Sequence, residues 1–131
     1  METIELKRTD GSVIASIEAS SFQDAMKDAL SRGISLEKID ISDVTFKTVD
    51  FTGVNLAGSH FSNVCFETVD FTGANCSESL FKNCTFVEVD TMKMDISDTS
   101  FDHCVFKDTA FVYVKGYDSE KFIGCSYKDC I

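Results

Sequence analysis

Large apolar residues occupy every fifth position from Leu36 to Phe111. The series reads Leu36, Ile41, Phe46, Phe51, Leu56, Phe61, Phe66, Phe71, Cys76, Phe81, Phe86, Thr91, Ile96, Phe101, Phe106 and Phe111, and every member except Cys76 and Thr91 is Leu, Ile or Phe. A period of five matches neither the ~3.6 of a helix nor the ~2 of a strand, so it belongs to a repeat architecture in which each unit buries one large side chain. Two residues before each of these centres runs a smaller series: Ile34, Ile39, Val44, Val49, Val54, Val64, Val69, Ala74, Cys84, Val89, Met94 and Cys104. Ser59, Ser79, Thr99 and Thr109 interrupt it. Both series are expected to point inward. The other three positions of each pentad are mostly Asp, Asn, Ser, Thr, Gly, Glu and Lys, the composition of a solvated outer surface.

A longer period lies over the first. Val49-Asp50-Phe51-Thr52-Gly53 returns twenty residues later as Val69-Asp70-Phe71-Thr72-Gly73, and again, degraded, as Val89-Asp90-Thr91-Met92-Lys93. Four pentads therefore close one turn. These residues resemble the pentapeptide-repeat family, whose pattern is a small residue, Asp or Asn, Leu or Phe, then two variable residues; Val54-Asn55-Leu56-Ala57-Gly58 and Ala74-Asn75-Cys76-Ser77-Glu78 fit it as well. The resemblance covers about three quarters of the chain and implies an all-β solenoid, a right-handed quadrilateral parallel β-helix of pentapeptide repeats with about four to five coils. Stacked coils also satisfy their backbone groups between neighbours at ~4.8 Å spacing, a requirement consistent with the absence of proline.

Three segments are expected within one domain. Residues 1–33 form a small hairpin and helix covering the start of the solenoid, 34–113 the pentapeptide-repeat β-helix, and 114–131 an irregular C-terminal coil. In the first, Ile4–Lys7 and Val13–Ile17 flank Asp10-Gly11, a hairpin-turn dipeptide. Ser20 with Gln23 makes a capping-box pattern, Phe22, Ala25, Met26, Ala29 and Leu30 share one helical face, and Gly33 ends the helix. In the last, Gly116 stands where a centre is due and the rhythm resumes one residue late at Tyr117, Phe122 and Tyr127. One residue has been inserted. In relatives the C-terminal coil is often where two chains meet, so Phe122, Tyr127 and Ile131 are the candidate homodimer contact.

Chemistry-bearing residues are sparse. Cys84, Cys104 and Cys125 fall in one inward column, Cys76 is a centre, and Cys65 and Cys130 are expected outside; no CxxC pair or spaced Cys/His quartet points to a metal. His60 and His103 fall on one outer face about two coils apart, roughly 10 Å, too far to share a proton. No catalytic residue, cofactor-binding residue or metal ligand is assigned, and the chain reads as no enzyme. No apolar run approaches a membrane span and no signal-peptide layout opens the chain, so a cytoplasmic protein without membrane contact is expected.

Charge narrows the partners. The chain carries 22 acidic against 12 basic side chains, a formal net charge of −10, which disfavours direct binding to a nucleic-acid backbone. Acidic pentapeptide-repeat proteins include quinolone-resistance and gyrase-inhibiting members thought to imitate a DNA duplex, so the resemblance implies a DNA mimic as one reading. Against it, Asp40, Asp50, Asp70, Asp90 and Asp95 precede centres, supply more than half of the repeat region's net acidity, and suit turn organisation. Two functions follow. One is a protein-docking scaffold presenting a rigid flat face to a protein partner. The other is an inhibitor or modulator of a DNA-binding enzyme, a topoisomerase, nuclease or restriction-type enzyme, acting through an acidic corner of Asp50, Asp70, Asp90, Glu78, Asp95 and Asp98.

Overall fold

A computed structural model describes residues 1–130. The chain opens with β1 (Glu2–Arg8) and β2 (Val13–Ala19), an antiparallel hairpin, followed by helix α1 (Phe22–Ser31). The solenoid then supplies β3 (Ile39–Ser42), β4 (Thr45–Lys47), β5 (His60–Ser62), β6 (Cys65–Glu67), β7 (Leu80–Lys82), β8 (Thr85–Val87), β9 (Ser100–Asp102), β10 (Val105–Lys107), β11 (Phe122–Ile123) and β12 (Ser126–Lys128). Two sheets result. One has seven strands in the order β11-β9-β7-β5-β3-β1-β2, the other five in the order β12-β10-β8-β6-β4. Within the solenoid all pairings are parallel and stack centre on centre, as in Phe61 on Phe81 and Phe46 on Phe66. This is the pentad β-solenoid expected from the twenty-residue period.

The four sides of a coil are not alike. Two are strands, centred on the Ile41 and Phe46 columns. The other two, centred on the Phe51 and Leu56 columns, are tight turns joined between coils by isolated bridges such as Asp50 to Asp70 and Asn55 to Asn75. In the turns the centre carbonyl accepts from the amide three residues on, at 3.0 Å for Val54 to Phe51 and 2.9 Å for Ala74 to Phe71. Every pentad from Leu36 to Phe111 bends through a positive φ two residues after its centre, with non-glycine residues held between +49° and +62°.

The core is a stack of phenylalanines. Phe61, Phe81, Phe101 and Phe122 lie face to face with centroids 4.6, 5.0 and 4.5 Å apart, and the Phe66, Phe86 and Phe106 column stacks at 5.0 and 4.8 Å. Neighbouring columns meet edge to face, as Phe66 and Phe71 do at 5.2 Å and 66°, the arrangement that the ring quadrupole favours. Phe46, Phe51, Phe61, Phe66, Phe71, Phe81 and Phe106 are completely buried.

The small inward series differs from its sequence reading in one respect. Ser59, Ser79, Thr99 and Thr109 are not gaps but donors and acceptors. Ser79 Oγ donates to Leu56 O at 3.0 Å and accepts from Ser59 N at 3.1 Å, Thr99 Oγ1 donates to Cys76 O at 2.6 Å, and Thr109 Oγ1 donates to Phe86 O at 3.3 Å and accepts from Val89 N at 3.2 Å. Each adds a hydrogen bond to buried backbone groups, as Ser79 does to Leu56 O and Ser59 N, which also bond to each other at 3.2 Å.

The N-terminal elements close the first coil. β1 pairs antiparallel with β3, Lys7 opposite Asp40, and Gln23 on α1 accepts from Lys47 N at 2.7 Å on the edge of β4. The helix cap is Ser21, whose hydroxyl accepts from Asp24 N at 3.1 Å, rather than Ser20 with Gln23. Ser20 donates instead to the Asp24 carboxylate, which frees Gln23 for the strand edge. At the other end the inserted residue lies between Lys115, still in register with Asp95, and Phe122, which pairs with Phe101 one position late. Gly116 absorbs it. Its φ is +79°, and a Cβ there would overlap the backbone of Ser97.

Candidate functional site

The acidic residues expected to form one corner occupy two adjoining sides. Asp50, Asp70 and Asp90 are stacked directly, one coil apart, at the start of the Phe51 side. Asp95 begins the next side, above Asn55 and Asn75 and below Lys115, whose ammonium lies 3.8 Å from its carboxylate. Glu78 and Asp98 end that side, at the positive-φ position, with φ of 58° and 54°. Asp50, Asp90, Glu78 and Asp98 are exposed, and Asp70 and Asp95 half-buried.

Local hydrogen bonding explains why acids stand there. Asp50 Oδ1 accepts from Thr52 N at 2.9 Å, Asp70 from Thr72 N at 2.8 Å, Asp90 from Met92 N at 3.0 Å and Asp95 from Ser97 N at 3.0 Å. Asn55 and Asn75 make the same bond to Ala57 N and Ser77 N, both at 3.0 Å. A side-chain oxygen bonded to the amide two residues on is an Asx turn, and it needs an acceptor, not a charge. The Thr52 hydroxyl and amide hold the Asp50 carboxyl below its usual range. At Asp95 partial burial pushes upward, but the bonds from Ser97 and the charge of Lys115 outweigh it and the carboxyl is lowered. Asp40 stands apart, inside β3.

The strand-built side formed by β4, β6, β8, β10 and β12 has a different character. Its outward rows are Thr45, Cys65, Thr85, Val105 and Ser126 before the centres, and Lys47, Glu67, Val87, Lys107 and Lys128 after them. The first row carries no charge at all. It is a flat, in-register strip of short side chains, with Val105 exposed. Each of these residues stands at an outward position of its own pentad, and the uncharged row emerges only when the coils are stacked in register.

The C-terminal contact residues are partly in place. Phe122 is half-buried on Phe101, Tyr127 stacks on Phe106 at 5.4 Å and is 53 % exposed, and Ile131 lies outside the described residues. Cys130, expected outside, is half-buried: its Sγ donates to Phe106 O at 3.3 Å, directly above Thr109 in the small inward column. A cavity of about 300 Å³ between the end of α1 and the first coil is lined by Leu30, Ile34, Leu36, Val54 and Asn55, none of which ionises. Among the described residues no three His, Cys, Asp or Glu side chains converge on a point that could hold a metal ion, and no helix is long and apolar enough to cross a membrane.

Stacked pentads with Asx-organised turns define a β-solenoid of the pentapeptide type. Residues 50–86 match the family model for pentapeptide repeats in eight copies. No curated protein sequence matches the chain. Among solved structures, a trypsin-treated form of QnrB1, a plasmid-mediated fluoroquinolone resistance protein, is similar with a TM-score of 0.49 and 19 % identity, over 72 % of this chain and 49 % of that one. The chain thus spans about half the length of that protein.

Proposed function

We propose that this protein is a non-enzymatic docking scaffold that holds a protein partner against the flat side built by β4, β6, β8, β10 and β12. The observation that carries the reading is the division of labour between sides. Asp50, Asp70, Asp90 and Asp95 are committed through one oxygen each to turns, and uncharged Asn55 and Asn75 do the same work. The strand-built side instead offers an uncharged row, Thr45, Cys65, Thr85 and Val105, backed by a stacked phenylalanine core that makes it rigid. A rigid, desolvatable strip binds without an ordering cost.

A second reading, a DNA mimic acting on a DNA-handling enzyme, has its own support. Each stacked aspartate keeps a second oxygen, and Asp50, Asp70 and Asp90 repeat at the coil spacing. Partner capture at low and high salt tests both. Docking on the flat side is expected to resist salt, to be lost in Thr85→Arg, and to survive Asp50→Asn/Asp70→Asn/Asp90→Asn. A mimic shows the reverse pattern and is displaced by duplex DNA. A homodimer through Phe122 and Tyr127 is a separate proposal, supported by the exposure of Tyr127. Sedimentation of wild type against Tyr127→Glu checks it: a dimer converts to monomer, and equal masses exclude it.

A further inference from the structure

A column of thiols is the most concentrated chemistry away from the acidic surface. Cys84, Cys104 and Cys125 stand two residues before Phe86, Phe106 and Tyr127. The backbone fixes their register, with Val105 N bonded to Cys84 O at 2.9 Å and Ser126 N to Cys104 O at 3.0 Å. Each thiol donates to a carbonyl of the coil beneath: Cys84 to Phe61 at 3.3 Å, Cys104 to Phe81 at 3.2 Å and Cys125 to Phe101 at 3.3 Å. The residue inserted before Phe122 is what seats Cys125 on Cys104, because the offset between these last two coils is 21 rather than 20. Access is graded. Cys84 and Cys104 are buried, whereas Cys125 is half-buried on the last coil.

We propose that Cys104 and Cys125 form a reversible inter-coil disulfide on exposure to hydrogen peroxide, stapling the last coil to the one before it. In-register parallel strands lie ~4.8 Å apart, inside the ~4.4–6.8 Å Cα separation that a disulfide spans. In the first step the Cys125 thiolate attacks a peroxide oxygen, the O–O bond breaks, hydroxide leaves and the sulfur becomes a sulfenic acid. In the second, the Cys104 sulfur attacks that sulfur, the S–O bond breaks, and water departs with the thiol proton. Two thiols and one peroxide give one disulfide and two waters, and an external dithiol reverses the change. Cys130 has no such resolving partner in its own column, where Thr109 lies beneath it. The staple holds the coil that needs it most, since β11 is only two residues long and hangs on the irregular segment after Gly116.

Trypsin separates the three relevant cysteines, placing Cys104 in 94–107, Cys125 in 122–128 and Cys130 in 129–131. Reduced full-length protein at alkaline pH, treated with equimolar hydrogen peroxide, blocked with iodoacetamide, digested and read by mass spectrometry, is expected to yield 94–107 linked to 122–128. The link should vanish on reduction, be lost in Cys104→Ser and Cys125→Ser, and persist in Cys130→Ser. These variants keep the carbonyl bond, as Ser79 does in the neighbouring column, so folding is preserved. A Cys125–Cys130 link, a link between two chains, sulfinic acid on Cys125 with Cys104 free, or no oxidation at all overturns the proposal.

Discussion

The strand-built and turn-built sides of this solenoid share one pentad pattern yet adopt different backbones. The residue just before the centre separates them in the middle coils, the exceptions being Asp40 inside β3 at the start and Ala110 and Lys115 on the turn-built sides at the end. On the turn-built sides it is Asp50, Asn55, Asp70, Asn75, Asp90 or Asp95, and its side chain captures the amide two residues on. On the strand-built sides it is Thr45, His60, Cys65, Leu80, Thr85, Ser100 or Val105, mostly residues without that short acceptor and several of them strand-favouring. Asp and Asn offer the backbone a local alternative to the ladder, and apart from Asp40, which is held in the β3 ladder, the coil turns where they precede a centre. Asp50, Asp70, Asp90 and Asp95, four of the thirteen acidic residues between Leu36 and Tyr113, are thus a by-product of corner chemistry, which is why net charge alone is a poor guide to what the surface binds.

The largest effect should come from the core that both kinds of side share. Replacing Phe66 or Phe86 with Ala removes a ring packed between two others in its column and is expected to cost about 3 to 5 kcal/mol in urea unfolding, whereas exposed Thr68 tolerates change. Next comes the hydroxyl ladder. Thr109→Val keeps the shape but strands Val89 N, at a cost of about 1 to 3 kcal/mol. Gly73→Ala sharpens the contrast further: the site is open, with nothing within 4 Å of an added Cβ, so the expected loss of about 1 kcal/mol is backbone strain at φ +66° alone.

The smallest effect is titration. The Asp50 carboxyl is depressed in the folded state, so its contribution is present above the unfolded carboxylate range of about 4 and is lost as pH falls through the folded value. Acid unfolding followed by circular dichroism should therefore be slightly less pH-sensitive in Asp50→Asn, and an unchanged profile would show that the bond from Thr52 contributes nothing.

The solenoid, its twenty-residue turn, the inward columns and the C-terminal insertion were legible because large side chains at period five have no other way to be buried together. The hydroxyl ladder was not. Ser79 and Thr99 read as breaks in an apolar series, and only the stacked backbone shows the carbonyls they satisfy. Cys130 was misplaced for a related reason, since the expected rhythm had no coil left to receive it. The role of Gln23 depended on a long-range contact with Lys47 that no local capping pattern encodes. The acidic corner and the suitability of its aspartates for turns were legible from pentad position, but which of them make the turn bond required the structure, where Asp40 lies inside β3 instead.

The claim that these aspartates serve turns before charge is tested most directly by thermal unfolding of two triple variants at positions 50, 70 and 90. The Asn variant keeps every acceptor and removes like charges stacked roughly 5 Å apart, so its melting temperature should equal or exceed that of wild type. The Ala variant loses three backbone bonds and should melt well below it. An Asn variant that melts as low as the Ala variant would contradict the account, because the carboxylate charge itself would then be holding the corner.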